Sequence, residues 1–326
     1  MPSHFLAAGV YGCVYHPGYT CKGKNMRRKQ WVTKLTYQNE ITQNEIEVSK
    51  LLKGCPDFVL VEESCSIPYK SLDQMKEGCE LVKKGKKYIL LYSKYIPSKE
   101  IGQVLHADTP FSRMFRCFYQ LCERVSVLID HKIVHHDLHF GNILYTDSAK
   151  LMLIDFGLSI RAEHLDQPLY VRENFSSYMP QWFWYPVEIH VLSFCVNYGV
   201  LTYDGLQKML DLYIDNPIFK SFSPLRNYRE RYMEVFAPYV GSDPSAYLCQ
   251  FWHTWDYYDT ALRFLYLTQQ KQIPEFEPIL FSMIHPDPSK RPSSIELRSQ
   301  NQHMIQSMEL TRVSKIDSFV KESRVI

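Results

Sequence analysis

The chain has 326 residues, of which 45% are hydrophobic and 22% charged, and its formal net charge is +2. This is ordinary globular composition, long enough for two regions with cores of their own, and the small net charge does not indicate nucleic-acid binding. No run reaches the ~18 apolar residues of a membrane span, because Glu188, His190 and Asn197 interrupt the most apolar segment.

The cysteines and the first residues bear on where the protein works. Nine cysteines are scattered without CxxC pairs, which favours free thiols in a reducing compartment over a disulfide or zinc framework. The start of the chain lacks the basic and apolar segments of a signal peptide. We therefore expect a soluble protein of the cytoplasm.

The first elements combine glycines with a lysine on a strand. Leu6–Tyr15, LAAGVYGCVY, is predicted to be strand, turn and strand, with Gly9 and Gly12 at the bend. Glycine lets a backbone close over phosphates, although such a turn is more often a plain hairpin. After a basic surface loop at residues 21–29, the predicted strand 31–35 carries Lys34, which needs an anionic partner if it is partly buried.

A helix is predicted next, since the apolar residues of the segment 39–53 fall on one helical stripe. This helix carries three glutamates, Glu40, Glu45 and Glu47, that compete as partners of Lys34. A buried strand at residues 88–92 and a long helix at residues 111–129 follow.

Asp137, Asn142 and Asp155 then fall within one short stretch, VHHDLHFGNILYTDSAKLMLIDFG at residues 134–157. Two short strands, 143–145 and 151–154, are joined by a turn of hairpin composition. The hairpin brings Asn142 and Asp155 to neighbouring strand ends, with Asp137 on the loop just before. This arrangement predicts a site for metal ions and phosphate.

HHDLHFGN at 135–142 and DFG at 155–157 resemble the H-R-D-L-x-x-x-N and D-F-G motifs of eukaryotic-type protein kinases. The resemblance implies an α+β, bilobal fold with a small β-rich N-lobe and a larger, mostly helical C-lobe. The N-lobe would be residues 1–95 and the C-lobe residues 96–326. The C-lobe would include a helical insert at about 189–255 and a helical tail at about 293–326.

The same resemblance implies roles for the polar residues. Asp137 would accept the proton of a substrate hydroxyl, and Asn142 and Asp155 would hold Mg²⁺, with Mn²⁺ as an alternative. Lys34 would hold the α- and β-phosphates of ATP. We prefer Glu45 as the partner of Lys34 because EIEVSKLL at 45–52 resembles the sequence pattern of the corresponding helix in the family.

The resemblance also implies an ATP site. Gly9 and Gly12 would cover the phosphates, whereas Val14, Val32 and Leu144 would line the adenine.

Three positions depart from the family pattern. Ala7 stands where the first of three glycines would be. His136 replaces the arginine that grips a phosphorylated activation loop, so we expect activity without that phosphorylation. His139 replaces a lysine that contacts the γ-phosphate, which a histidine can do through one donor.

Two later motifs bear on the substrate. WYPVE at 184–188 and HPDPSKRPS at 285–293 resemble kinase segments whose glutamate and arginine, here Glu188 and Arg291, form a buried ion pair. Small-molecule phosphotransferases generally lack this pair, so we predict a protein kinase acting on Ser/Thr.

Alternatives and finer expectations remain. A small-molecule phosphotransferase and a pseudokinase scaffold are the alternatives, the second disfavoured by the complete set of site residues. The insert is expected to be packed helices, with a docking surface for a protein partner as the other interpretation. GVYGCVYHPGYTC and HHDLHFGNIL look most similar to kinases of large cytoplasmic DNA viruses.

Overall fold

A computed structural model describes residues 3–21, 28–72, 75 and 78–322. The strands are β1 His4–Ala8, β2 Gly12–His16, β3 Trp31–Tyr37, β4 Glu63–Ile67, β5 Tyr88–Lys94, β6 Ser98–Glu100, β7 Ile133–Val134, β8 Ile143–Thr146, β9 Leu151–Leu153 and β10 Ile160–Arg161. The helices are α1 Glu40–Leu51, α2 Phe111–Asp130, α3 Pro168–Asn174, α4 Val187–Tyr198, α5 Tyr203–Ile214, α6 Pro217–Ser221, α7 Tyr228–Phe236, α8 Ser245–Leu248, α9 Trp255–Thr268, α10 Glu277–Met283 and α11 Ser294–Glu322. The predicted fold class, α+β with a β-sheet N-terminal region and a helical C-terminal part, is confirmed. Most of the predicted basic loop, residues 22–27, lies outside the described residues.

The N-terminal sheet has five antiparallel strands in the order β1-β2-β3-β5-β4. Side chains alternate between its two faces, because successive residues of a strand point to opposite sides. One face packs a core that includes Tyr15, Leu35 and Leu90. In the register, Val14 and Leu91 both pair with Lys34, so these three residues share the other face.

Two disulfides correct the expectation of free thiols. The structure joins Cys13 to Cys79 and Cys21 to Cys65, whereas the other five cysteines are free. Cys13 and Cys79 lie 66 positions apart in the chain but their Cα atoms are 6.0 Å apart. The sheet brings them together, and their spacing along the chain carries no sign of it.

Helix α1 begins with a side-chain cap and ends after twelve residues. Asn39 Oδ1 accepts a hydrogen bond from the Thr42 backbone N–H at 3.1 Å, which satisfies one of the free donors of the first turn. The buried side chains of the helix are Thr42, Glu45, Val48 and Ser49. A glutamate on the buried side of a helix needs a cation or a hydrogen-bond donor as its partner, so Glu45 must have such a group close by.

Two small sheets hold the loop that contains Asp137 and the segment after Asp155. One sheet has the order β6-β8-β9 and contains the predicted hairpin, since β8 pairs with β9. In the other, β10 pairs with β7. The loop lies between β7 and β8, so both of its ends are anchored by strands.

The chain forms two compact units. Residues 1–109 and 127–162 make the first, which holds β1 to β10 and α1. Residues 110–126 and 163–326 make the second, which is helical, and α2 contributes to both. These units differ from the lobes expected at 1–95 and 96–326, and the division into lobes stays a prediction.

The second unit contains the regions predicted as insert and tail. Residues 189–255 hold most of α4 and all of α5 to α8, and α5 confirms the helical spacing of residues 203–212. In the tail, α11 begins at Ser294. Arg298, in the second turn of this helix, contacts Glu123 at 3.1 Å and Ser126 at 2.9 Å. Among the described residues, no helix is both long and apolar enough to cross a membrane.

Candidate active site

A partly buried lysine and two carboxylates form the centre of the candidate site, all within the first unit. Lys34 Nζ on β3 donates to Glu45 Oε2 at 2.9 Å and to Asp155 Oδ1 at 2.7 Å. Glu45 comes from α1 and Asp155 from the segment directly after β9. Of the three competing glutamates, the structure therefore pairs Glu45 with the lysine.

The electrostatics of this cluster leave one negative charge in excess. Burial tends to lower the pKa of Lys34, but Glu45 and Asp155 outweigh it and the pKa is raised, so the lysine stays charged. Burial raises the pKa of Glu45, Lys34 opposes the shift, and the nearby Asp155 adds to it. Two carboxylates share one ammonium, and such a surplus favours a further cation.

Asp137 is held by the residues that follow it. The Asn142 side-chain amide donates to the Asp137 backbone carbonyl at 2.9 Å and to its carboxylate at 3.1 Å. His139 Nδ1 accepts from the Gly141 N–H at 3.0 Å, so the proton of the neutral ring is on Nε2, 3.7 Å from the Asp137 carboxylate. Asn142 thus orients the carboxylate, and His139 caps the short turn beside it.

The backbone around these residues is strained in two places. His136 and Asp155 have φ angles of 65° and 62°, in the left-handed region that costs a non-glycine residue about 1 kcal/mol or more. Buried contacts support this geometry: His135 Nε2 donates to the Ile154 carbonyl at 3.0 Å, and Phe156 packs edge-on against Phe58. Strain of this kind concentrates at functional sites.

The glycine turn lies beside the lysine. The Gly9 N–H donates to the Gly12 carbonyl at 2.9 Å, which closes a tight turn between β1 and β2. A Cβ at Gly12 would lie 2.9 Å from Cε and Cγ of Lys34. Gly12 is therefore needed for the path of the lysine side chain, a reason that the sequence did not reveal.

The predicted adenine-lining residues occupy three strands. Val14 on β2 and Val32 on β3 share the sheet face of Lys34, as the register and the period of two require. Leu144 lies on β8 and pairs with Glu100 and Met152. Their contact with a nucleotide stays a prediction.

The donor set suits a magnesium ion that takes most of its ligands from phosphates. Mg²⁺ prefers oxygen ligands, and nucleotide sites supply one or two carboxylates together with substrate phosphates. Asp155 offers a carboxylate and Asn142, whose amide nitrogen faces Asp137, offers the opposite oxygen. Three or more clustered His, Cys, Asp or Glu ligands do not occur among the described residues.

The family model of the protein kinase domain matches residues 3–182, more than half of the 326-residue chain. The chain belongs to the protein kinase family. In general, a protein kinase domain takes ATP, a divalent metal and a protein substrate. The match ends before Glu188 and Arg291.

Relatives of this kinase are similar at low identity. Mitogen-activated protein kinase kinase kinase 19 is 25% identical in Homo sapiens and 26% in Mus musculus, over 164 residues that make up 48% of this chain and 11% of each relative. A serine/threonine-protein kinase-like protein of Arabidopsis thaliana is 29% identical over 75 residues, 22% of this chain and 22% of that protein. The matched segments thus span between 11% and 22% of the length of these relatives.

The second unit of the kinase contains the predicted buried ion pair. Arg291 donates two bonds to the Glu188 carboxylate, of which the one from Nη2 measures 3.0 Å. It also donates to Thr254 Oγ1 at 3.1 Å and to the His285 carbonyl at 2.9 Å. The side chains are 1% and 0% exposed, so the pair meets the condition that a buried charge be both paired and hydrogen-bonded.

Two contacts of α1 were not predicted. Asn44 donates to backbone carbonyls of the D-F-G segment and its continuation, and Glu47 pairs with Arg161 at 3.1 Å. Helical periodicity shows that Asn44 and Glu47 share a face. It does not show that this face meets residues more than a hundred positions further along the chain.

Proposed function

We propose that this kinase transfers the γ-phosphoryl group of ATP to serine or threonine hydroxyls of protein substrates, with Mg²⁺ as the metal. The observation that supports it best is the contact of Lys34 with both Glu45 and Asp155, beside an Asp137 that Asn142 orients. Residues of the types that phosphoryl transfer uses in this family are thus present in these two groups of contacts.

Asp137 is the proposed general base. Its carboxylate is held through Asn142 at 3.1 Å, which fixes the direction from which a substrate hydroxyl approaches. General bases contribute about 10²–10⁴-fold to rate. Asp137→Asn should lower turnover by that amount while leaving nucleotide binding intact.

Lys34 is the proposed phosphate ligand. In this structure its ammonium contacts Glu45 and Asp155. Lys34 would hold the α- and β-phosphates, Asn142 and Asp155 would hold the metal, and the metal would neutralise charge on the phosphates. Lys34→Met should abolish transfer.

His139 is the proposed further contact of the γ-phosphate. Its Nε2–H lies on the same side as the Asp137 carboxylate, 3.7 Å away. Where the family pattern has a lysine ammonium, His139 would offer a single imidazole N–H to the γ-phosphate. Protonation of the ring would strengthen this contact.

Phosphate transfer tests the proposal directly. The purified protein is incubated with γ-labelled ATP, Mg²⁺ and a generic basic protein, followed by phosphoamino-acid analysis. Asp155→Ala serves as the inactive variant, and Asp147→Ala, an exposed aspartate of the β8–β9 turn, is the matched control. Label on serine or threonine that vanishes only in Asp155→Ala supports the proposal.

The other outcomes point to the alternatives. ATP binding without label on any protein would indicate a pseudokinase scaffold. Label on added sugars or aminoglycosides, with none on protein, would indicate a small-molecule phosphotransferase.

The resemblance of residues 135–144 to kinases of large DNA viruses supports a finer proposal, action in the cytoplasm of an infected cell or in the virion. Residues 189–255 are the proposed docking region for a protein partner. Immunolocalisation during infection, and binding assays with chains altered in that region, test these two points.

A further inference from the structure

Helix α1 contacts the segment that follows Asp155 through residues to which the proposed chemistry assigns no role. Asn44 Nδ2 lies 2.7 Å from the Ser159 carbonyl, 3.1 Å from that of Gly157 and 3.5 Å from that of Phe156. One side-chain amide nitrogen thus lies within 3.5 Å of three backbone carbonyls directly after the proposed metal ligand. Asn44 is also the neighbour of Glu45, the partner of Lys34.

Two more residues of the same helix face reach this segment. Glu47 forms an ion pair with Arg161 at 3.1 Å. A Cβ at Gly157 would lie 2.8 Å from Cγ2 of Ile41, so the helix packs directly on the glycine backbone. Ile41, Asn44 and Glu47 are spaced by three residues, which places them along one side of a helix.

The segment is also held from its other side. Ile160 and Arg161 pair as β10 with β7, and the Ala162 N–H donates to the Lys132 carbonyl at 2.8 Å. Residues 155–162 are therefore fixed between a strand and a helix. These contacts use an amide, an ion pair and backbone bonds, and none of them requires a phosphoryl group.

We propose that Asn44 and the Glu47–Arg161 pair are positioning residues that hold α1 in place and so keep Glu45 against Lys34 in the unphosphorylated protein. The inference rests on the proposed function, and it explains how a kinase with His136 in place of arginine can be active without phosphate on its activation segment. If the contacts to residues 157–161 are lost, α1 is free to rotate or shift. Glu45 then leaves Lys34 and the phosphate ligand loses its orientation.

The test uses four variants and one control variant of the full chain, each freed of phosphate with a phosphatase and checked by mass. Asn44→Asp replaces the donor with an oxygen that faces three carbonyls. Glu47→Arg and Arg161→Glu each place like charges opposite one another, and the double variant restores the pair in reverse. Glu40→Arg, an exposed acid of the same helix, controls for a change of charge.

Two measurements are made on each protein. In the transfer assay, Asn44→Asp and each single reversal should lower kcat by about tenfold, the equivalent of one charged hydrogen bond, with KM for the protein substrate changed by less than about twofold. The double reversal should regain most of the kcat, which loss of folding would not allow. In hydrogen exchange, the single variants should lose protection in α1 and in residues 155–161, and the double reversal should recover it.

The outcomes separate this inference from the proposed function. A phosphate-free wild type that is inactive until phosphorylated would overturn the inference, as would single variants with unchanged kcat. If the wild type transfers no phosphate under any condition, the proposed function fails, and hydrogen exchange then decides the inference alone. Unchanged protection in Asn44→Asp and Glu47→Arg would overturn it in that case as well.

Discussion

Removing Arg291 should destabilise the second unit severely, because it leaves a charge buried without a partner. The Glu188 side chain is 0% exposed, and Arg291 supplies both hydrogen bonds to its carboxylate that the structure records. Breaking a buried ion pair from one side costs about 3–5 kcal/mol, against a total stability of about 5–15 kcal/mol for a domain. Arg291→Met should therefore remove roughly a third or more of the stability.

Urea unfolding followed by tryptophan fluorescence measures this loss. Four of the five tryptophans lie in the second unit, at positions 182, 184, 252 and 255, so the signal reports mainly on that unit. With a slope of about 2 kcal/mol per M of urea, a loss of about 4 kcal/mol lowers the midpoint by roughly 2 M. The double variant Glu188→Leu with Arg291→Met should lose much less than the single variant, because no charge is left unpaired.

An exposed ion pair provides the control. Lys208 and Asp204 lie 2.8 Å apart with side chains 73% and 74% exposed, and such pairs contribute little to stability because water and salt screen them. Lys208→Met should thus change the midpoint very little. Our reasoning is wrong if Arg291→Met costs no more than Lys208→Met, or if the double variant is as unstable as the sum of its single changes.

Three further predictions follow from single features. Thiol titration of the unfolded, unreduced protein should count five free cysteines out of nine, and a count of nine would contradict both disulfides. Gly12→Ala should lower turnover by about tenfold or more, because the added Cβ would lie 2.9 Å from the Lys34 side chain. Gly102→Ala, whose Cβ would make an ordinary contact at 3.5 Å, is the control. Equal losses of turnover in the two variants would refute the steric argument. Burial lowers the pKa of His190 to about 4, whereas the pKa of the unfolded residue is near 6.5. As the pH drops from about 6.5 to about 4, the unfolded chain therefore takes up the proton first. The free energy of unfolding falls by about 3 kcal/mol over this pH range. His190→Gln should flatten that part of a urea-midpoint profile against pH, and an unchanged slope would count against the assignment.

Local structure was largely readable from residue patterns. The hairpin predicted at 143–145 and 151–154 forms at Ile143–Thr146 and Leu151–Leu153, because two short apolar runs and the turn between them act over few positions. The helix expected at 39–53 forms at Glu40–Leu51 for a similar reason, with Asn39 as its cap. Patterns of this kind depend on neighbours along the chain.

Partners across the fold were harder to predict. The disulfide between Cys13 and Cys79 depends on a sheet that brings distant residues together, and composition alone favoured free thiols. Gly12 was interpreted as part of a plain hairpin or as a phosphate contact, and its closeness to Lys34 was missed because it arises from the pairing of β2 with β3. In each case the deciding contact joins separate elements.

The sequence by itself determined which chemical groups the protein has: a strand lysine, a helix with three glutamates, and Asp137, Asn142 and Asp155 at spacings typical of a kinase. Tertiary structure alone decided which groups meet. Lys34 pairs with Glu45 and Glu47 pairs with Arg161, because the rotation of α1 about its axis follows from the packing of Thr42 and Val48 into the first unit. Helical periodicity places Glu45 and Glu47 about 200° apart around the axis, and only packing against the rest of the unit selects which of them faces the lysine.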